Sequence, residues 1–300
     1  MTANSDYLLR KFDEATEFLT QALQAQMAKM SKKDKILAEE FRLRVGRGVS
    51  VLLPQGEVPI DGSISQQELA SVIEIATEAS VHASKESLKS GFITAAGGHR
   101  IGICGTAIVK NGEITGFRSI SSLSVRISKE ITGVASGLMS SVLAGEKVCS
   151  TLVISPPGGG KTTLLRDLLR QISNSGIRVS LADERGELAA MRGGIPQMDV
   201  GRHTDVLALC PRSEAVIFLL RAMNPQVVAM DEITKPEDAE ALSNALGCGV
   251  KLFATAHSSS LDELMKRKLY REMMKSRLFE RLVVIKREAG KRIYQIERCD

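Results

Sequence analysis

Tryptophan is absent from this chain and aromatic residues make up only 4% of it. A platform of rings for stacking nucleic-acid bases is therefore not expected. Cysteine is sparse and odd in number: Cys104, Cys149, Cys210, Cys248 and Cys299 form no close pair. That excludes a disulfide framework and a zinc-ligand spacing, and it fits a reducing cytosol. No run of about 18 apolar residues occurs, and Met1 is followed by polar residues rather than an apolar signal region. The expectation is a cytoplasmic protein that does not span a membrane but can dock on one. Neither charge sign dominates, since 40 basic residues are interspersed with 35 acidic ones for a net charge of +5. So mild a balance is weak support for nucleic acid as a partner and is compatible with an anionic membrane nearby. Internal repeats and low-complexity tracts are missing too. What is present is apolar content of 43% over 300 residues, enough for the cores of one large or two ordinary domains.

The most informative stretch is Ser155-Pro156-Pro157-Gly158-Gly159-Gly160-Lys161-Thr162-Thr163. Before it, Thr151-Leu152-Val153-Ile154 reads as a short buried strand. After it, Leu164, Leu165, Leu168, Leu169 and Ile172 fall on one face of a helix running from Thr162 to Ser173. Strand, glycine loop, Lys-Thr and helix is the order of a phosphate-binding loop. Glycines let backbone N–H groups turn inward around phosphate oxygens, and the helix points its positive end at the same anion. Pro157, Gly158, Gly159, Gly160, Lys161, Thr162 and Thr163 are thus the candidate nucleotide contacts. Lys161 can reach the β- and γ-phosphates, and the Thr162 hydroxyl can bind Mg²⁺. One position departs from the strict pattern: Ser155 stands where a glycine is usual.

Residues 5–30 read as an amphipathic helix through Leu8, Leu9, Phe12, Ala15, Phe18, Leu19, Leu23 and Met27. Such a stripe serves core or partner packing, with membrane contact the sharper alternative. A polar, basic linker follows to Lys35. From Glu40 to Ile127 short strands surround one helix, Ser65 to Ser87, opened by the capping box Ser65-Gln66-Gln67-Glu68. Asn111-Gly112 signals a hairpin turn there. This stretch is α+β with antiparallel pairing. Near Thr132 the pattern changes, and from Lys147 onwards strands and helices alternate, the signature of a parallel α/β sheet. Strands are expected near 148–154, 177–182, 226–230 and 250–255, and helices start near 162, 213 and 236. A hairpin turning at Glu288-Ala289-Gly290 closes the chain. The domains read as 1–35 (helix and linker), 36–135 (α+β) and 136–300 (α/β).

Phosphate loops work with a carboxylate at the end of a neighbouring buried strand, and Gln226-Val227-Val228-Ala229-Met230-Asp231-Glu232 supplies one. Asp231 is placed to support Mg²⁺ and Glu232 to orient and deprotonate the attacking water. Asp183 and Glu184 end another strand and are expected to face the nucleotide; a solvated acidic turn paired with Arg185 is the alternative. His257 ends a further apolar strand, either as a γ-phosphate sensor or as a structural histidine. Arg202 can neutralise phosphate or pair with Asp205. Arg100, Arg118 and Arg126 lie on the short glycine-studded sheet, where they are either surface residues or arginine fingers for a neighbouring subunit's nucleotide.

The order of these boxes, at 155–163, 183–187, 227–232 and 249–257, resembles the secretion and pilus-motor ATPase superfamily. Further segments are similar to the stage III sporulation protein AA family. They are Phe41-Arg42-Leu43-Arg44, Gly91-Phe92-Ile93-Thr94, Gly97-Gly98-His99-Arg100-Ile101-Gly102, Val125-Arg126-Ile127, Asp183-Glu184-Arg185 and Phe279-Glu280-Arg281. The resemblance covers about residues 37–297. It implies an α/β fold with a RecA-like P-loop ATPase core and a smaller α+β N-terminal domain. It also implies a cytoplasmic, Mg²⁺-dependent ATP hydrolase, peripheral to a membrane, that drives assembly or operation of a channel between mother cell and forespore. A small membrane protein of the same complex would be its partner, and no nucleic acid is expected. Members of the wider superfamily form hexameric rings with nucleotide held between the two domains. Carried over by position, Arg100 and Arg126 join Glu232, Lys161, Asp231 and His257 as catalytic candidates, and Arg118 is weaker. Ala208-Leu209 and Thr234-Lys235 differ from common family choices. A general pilus or secretion motor, a nucleotide-dependent scaffold with little hydrolysis, and a nucleic-acid translocase are the alternatives; low aromatic content and mild basicity disfavour the last.

Overall fold

Phe12, Ala15, Phe18, Leu19, Leu23 and Met27 recur at helical spacing because they fill a core. In the computed structural model, which describes residues 3–78, 91–144, 147–288 and 291–299, all six are buried. They pack with Phe41, Leu43, Ile101, Leu123 and Val125, the inward-pointing residues of alternating strands. Phe12 meets Phe41 edge to face at 5.2 Å between ring centres. The expected single helix is two, Ala3–Thr16 and Gln21–Ala28. The stretch expected as a linker carries a third, Lys32–Leu37, capped by Ser31, whose hydroxyl accepts from the Asp34 N–H.

These helices belong to the first of two compact units, Met1–Lys129 and Glu130–Asp300. The first unit's sheet is antiparallel throughout. Its order is Gly56–Pro59, Ser50–Leu53, Glu40–Arg44, Glu113–Arg126, Arg100–Lys110, Phe92–Thr94. The strands expected at 114–119 and 124–127 are one continuous strand, Glu113–Arg126. Asn111 and Gly112 both have positive φ, as a tight hairpin turn requires. Helix Gln66–Ala76 opens with the full Ser65/Glu68 capping box; its expected continuation over 79–87 lies outside the described residues.

His99 is fully buried in this unit. Its Nδ1 accepts from the Ser128 N–H at 3.2 Å, and its Nε2 lies 3.6 Å from Glu14. Burial, seconded by the charge of Lys11 and opposed by that of Glu14, holds the imidazole at about 4 against an ordinary 6.5. Between those values the unfolded chain binds the extra proton. The stability this neutral histidine contributes is therefore complete above pH 6.5 and is lost as pH falls towards 4, by up to about 3 kcal/mol. Thermal melts from pH 7 to 4 should show His99→Asn losing less stability than wild type over that window. Parallel curves would rule the histidine out as the source.

The second unit is built on one seven-stranded sheet in the order Thr204–Ala208, Val179–Asp183, Val227–Met230, Lys251–His257, Thr151–Ser155, Arg281–Glu288, Lys291–Arg298. All pairs are parallel except the last, which is the expected hairpin; its turn residues Ala289 and Gly290 lie outside the described ones. Every residue of Thr151–Ser155 and Val179–Asp183 is buried, as for strands covered on both faces. Leu152 and Ile154 point into one core with Ala215, Leu242 and Tyr270; Val153 points into the other with Leu165, Leu168 and Leu169. Helix Lys161–Asn174 covers one face; Arg212–Met223, Pro236–Gly247 and Lys268–Lys275 cover the other. The edge strand Thr204–Ala208 was not expected: its five residues are only half-buried and show no alternation. Among the described residues no helix is long and apolar enough to cross a membrane.

Candidate functional site

The phosphate loop leaves the buried strand Thr151–Ser155 and enters helix Lys161–Asn174 through Gly160, a helix cap with φ +101° and no capping side chain. First-turn amides are thus left without a side-chain partner, the arrangement that favours an anion. Ser155, the departure from the strict pattern, is matched by Gly159. A Cβ at 159 would lie 2.2 Å from the Ser155 Oγ, so the loop accommodates a hydroxyl at one position by having no side chain at the other. The Ser155 Oγ donates to the Pro156 carbonyl at 2.9 Å.

Lys161 is folded back on its own loop. Its Nζ donates to the Ser155 carbonyl at 3.1 Å and to His257 Nδ1 at 2.8 Å. Burial lowers its pKa against the attraction of Asp231 and Glu232. His257 reaches the loop because its strand runs parallel beside Thr151–Ser155, with His257 opposite Ser155. An ammonium has only protons to give, so Nδ1 is the acceptor and the ring proton sits on Nε2. That nitrogen lies 3.1 Å from Glu232 Oε1. Lys161, His257 and Glu232 therefore form one continuous polar chain.

Glu232 is unusual in its backbone: φ is +48° in a residue with a full side chain. Its neighbours over-determine that conformation. Its N–H donates to the Thr255 hydroxyl at 2.9 Å, and its carbonyl accepts from buried Arg212 at 2.7 Å. Arg185 pairs with Oε2 at 3.1 Å. The preceding Asp231 accepts from Thr162 Oγ1 at 2.9 Å and from Thr255 Oγ1 at 2.6 Å. The two residues expected to serve Mg²⁺ thus meet directly. Hydroxyl and carboxylate oxygens suit that hard ion, which takes few protein ligands and completes its shell with phosphate and water. Consistent with so sparse a donor set, no cluster of three or more His, Cys, Asp or Glu able to hold a metal unaided occurs among the described residues.

Asp183, expected to face the nucleotide, turns its carboxylate to its own following loop. It is 1% exposed, and its carboxylate accepts from the amides of Glu187, Leu188 and Ala189 at 2.9–3.2 Å. Burial pushes the carboxyl above its ordinary value despite those amides. It organises the loop after its strand. Arg166, from the phosphate-loop helix, holds the same loop through the Glu187 and Leu188 carbonyls. Glu184 pairs with Arg212 at 2.8 Å, and Arg185 turns to Glu232 instead of the acidic residues beside it. Arg202 lies before the amino end of Thr204–Ala208, whereas the phosphate loop sits at the carboxyl end of the parallel strands.

Arg100 and Arg126 face each other across an antiparallel pair in the first unit, and Arg126 also opposes Glu40. Alternation puts Arg42 and Arg44 on the same face. Four arginines therefore share one side of that sheet, where a cavity of about 240 Å³ is lined by Arg42, Arg44, Gly102, Cys104, Ser122 and Ser124. Arg42 pairs with Glu40, Arg44 with Glu57, and Arg100 stacks on Phe92 at 3.8 Å. Arg118 is exposed.

Sequence reasoning missed Thr255, Arg212 and Arg166. A threonine inside the apolar strand Leu252-Phe253-Ala254-Thr255-Ala256 was a readable signal. Nothing local marks the two buried arginines.

The family model for sporulation stage III, protein AA, matches residues 10–296. Stage III sporulation protein AA of Bacillus subtilis (strain 168) is 34% identical over 284 residues, 93% of this chain and 92% of that protein. The solved structure of the Legionella pneumophila ATPase DotB superposes with a TM-score of 0.58 at 16% identity, covering 97% of this chain and 80% of that one. The pilus retraction motor PilT with bound ADP gives 0.60 at 13% identity, covering 89% and 81%. At such identities the two structures are likenesses of fold, and they bear out the expected α/β core with a smaller N-terminal α+β part.

Proposed function

This chain belongs to the sporulation stage III, protein AA family, and on that premise we propose that it is a secretion-type ATPase working on a channel complex between mother cell and forespore. The observation that carries the reading is the polar chain from Lys161 through His257 to Glu232, beside the Thr162–Asp231 contact.

In this reading the amides of Gly158 to Thr163 cradle the phosphates of ATP. Lys161 leaves the Ser155 carbonyl and His257 to reach the β- and γ-phosphates. His257, released from the ammonium at Nδ1, keeps its Nε2–H on Glu232 and so links occupancy of the loop to that carboxylate. Glu232 orients a water and takes its proton as the oxygen attacks the γ-phosphorus; the bond to the β,γ-bridging oxygen breaks, and ADP and phosphate result. Thr162 and Asp231 would hold Mg²⁺, which supplies positive charge against the phosphate oxygens. Asp183 and Glu184 serve this site through the loop carrying Arg185. Arg100 and Arg126 are the candidates for charge supplied by a neighbouring subunit in a hexameric ring. A cytoplasmic ring lying against a membrane and held by a small membrane protein completes the proposal.

The test is ATP hydrolysis across a protein concentration series, with mass read by light scattering on the same samples. Turnover should rise with assembly and fall by about 10²–10³-fold in Lys161→Ala. ATP bound without turnover in any assembly state would overturn the motor reading in favour of a scaffold.

A further inference from the structure

We propose that Arg292, on the C-terminal hairpin, is a further nucleotide-binding residue of the same chain, contacting the α- and β-phosphates over Gly160. The proposal rests on the phosphate-loop reading above and adds to it an element remote in sequence from the loop.

Three observations carry it. The strand Arg281–Glu288 stays paired with the phosphate-loop strand as far as Val284, opposite Ile154. Beyond that point the hairpin continues alone, with Lys286 opposite Ile293 and Arg287 opposite Arg292. It therefore projects past the carboxyl end of the parallel strands, the end from which the loop springs. Next, Tyr294 and Ile296 pack into the core shared with Leu164 and Leu165 of the phosphate-loop helix. Strand alternation then turns Arg292 to that same side. The close approach agrees: a Cβ on Gly160 would lie 2.9 Å from Arg292 Nε and 3.1 Å from its Cζ. The guanidinium thus rests on the glycine that caps the helix, where loop amides face the α- and β-phosphates.

Arg287 faces Arg292 directly, and like charges opposed across a strand pair repel. No hydrogen bond or ion pair holds Arg292 among the described residues. A planar guanidinium suits two phosphate oxygens at once, and an anion there relieves the repulsion.

Binding of fluorescent mant-ADP and mant-ATP to the full chain, with Mg²⁺ present, tests this. Arg292→Ala should weaken both by about tenfold to a hundredfold, the loss of a hydrogen bond to a charged group. Arg292→Lys should recover part of that. Gln295→Ala, exposed on the opposite face of the strand, should bind as wild type does. All variants should melt together without nucleotide, because Arg292 is exposed. Unchanged or tighter binding by Arg292→Ala overturns the proposal, and so does a loss confined to ATP, which would place the contact at the γ-phosphate. Wild type failing to bind either nucleotide overturns the phosphate-loop reading itself and this proposal with it.

Discussion

A chain carrying Glu232→Gln should bind MgATP within a few-fold of wild type while its turnover falls by about 10²–10⁴-fold, the usual contribution of a general base. The binding half follows from position: Glu232 lies at the end of a neighbouring strand, and the loop amides, Lys161 and Thr162 are untouched by the change. The catalytic half follows from what the carboxylate does. Oε1 accepts from His257 and Oε2 faces Arg185, so both oxygens are oriented by donors. A glutamine has one acceptor oxygen and no basicity. It can satisfy His257 or Arg185, not both, and it cannot take a proton from water. The backbone should survive, since the φ of +48° is held by Thr255 and Arg212 through main-chain atoms. Single-turnover hydrolysis with a parallel binding titration separates the two effects. Glu232→Gln retaining a tenth of wild-type turnover would dismiss this residue as the base.

How much of this was legible before the structure depends on the range of the interaction. The phosphate loop could be read because strand, glycines, Lys-Thr and helix lie within one short window. Asp231 and Glu232 were legible as the end of an apolar run, and Asn111-Gly112 as a turn because both residues tolerate positive φ. The break near Thr16–Gln21 could not be read, because the apolar stripe carries on through it and both helices pack into one core with Phe41 and Leu43. Arg212 reads as an ordinary helix-start residue; only the fold brings it to the Glu232 carbonyl and to Glu184. Asp183 is the instructive case. Its place at a strand end is that of a ligand contact, yet whether such a carboxylate faces a ligand or its own following loop depends on how that loop turns. Here the loop turns back over it.

Asp183→Ala should therefore act on stability before chemistry. The substitution removes every acceptor from the amides of Glu187, Leu188 and Ala189, and the last two residues are fully buried. Buried donors left without partners cost about 1–3 kcal/mol each, so a loss of about 3–5 kcal/mol is expected once some relaxation is allowed. For a unit of this size that lowers the melting temperature by about 10 °C. Asp183→Asn should recover only part, because its amide group opposes at least one backbone donor where the carboxylate accepted all of them. Chemistry then follows from the loop. Arg185 reaches Glu232 from it, and Glu184 anchors Arg212, which holds the Glu232 carbonyl. Below its melting point the alanine variant should still bind nucleotide but turn over more slowly, whereas an Arg185→Ala variant should slow turnover without the loss of stability. If Asp183→Ala melts within 2 °C of wild type, the loop does not depend on that carboxylate, and its buried charge would have to serve the nucleotide directly.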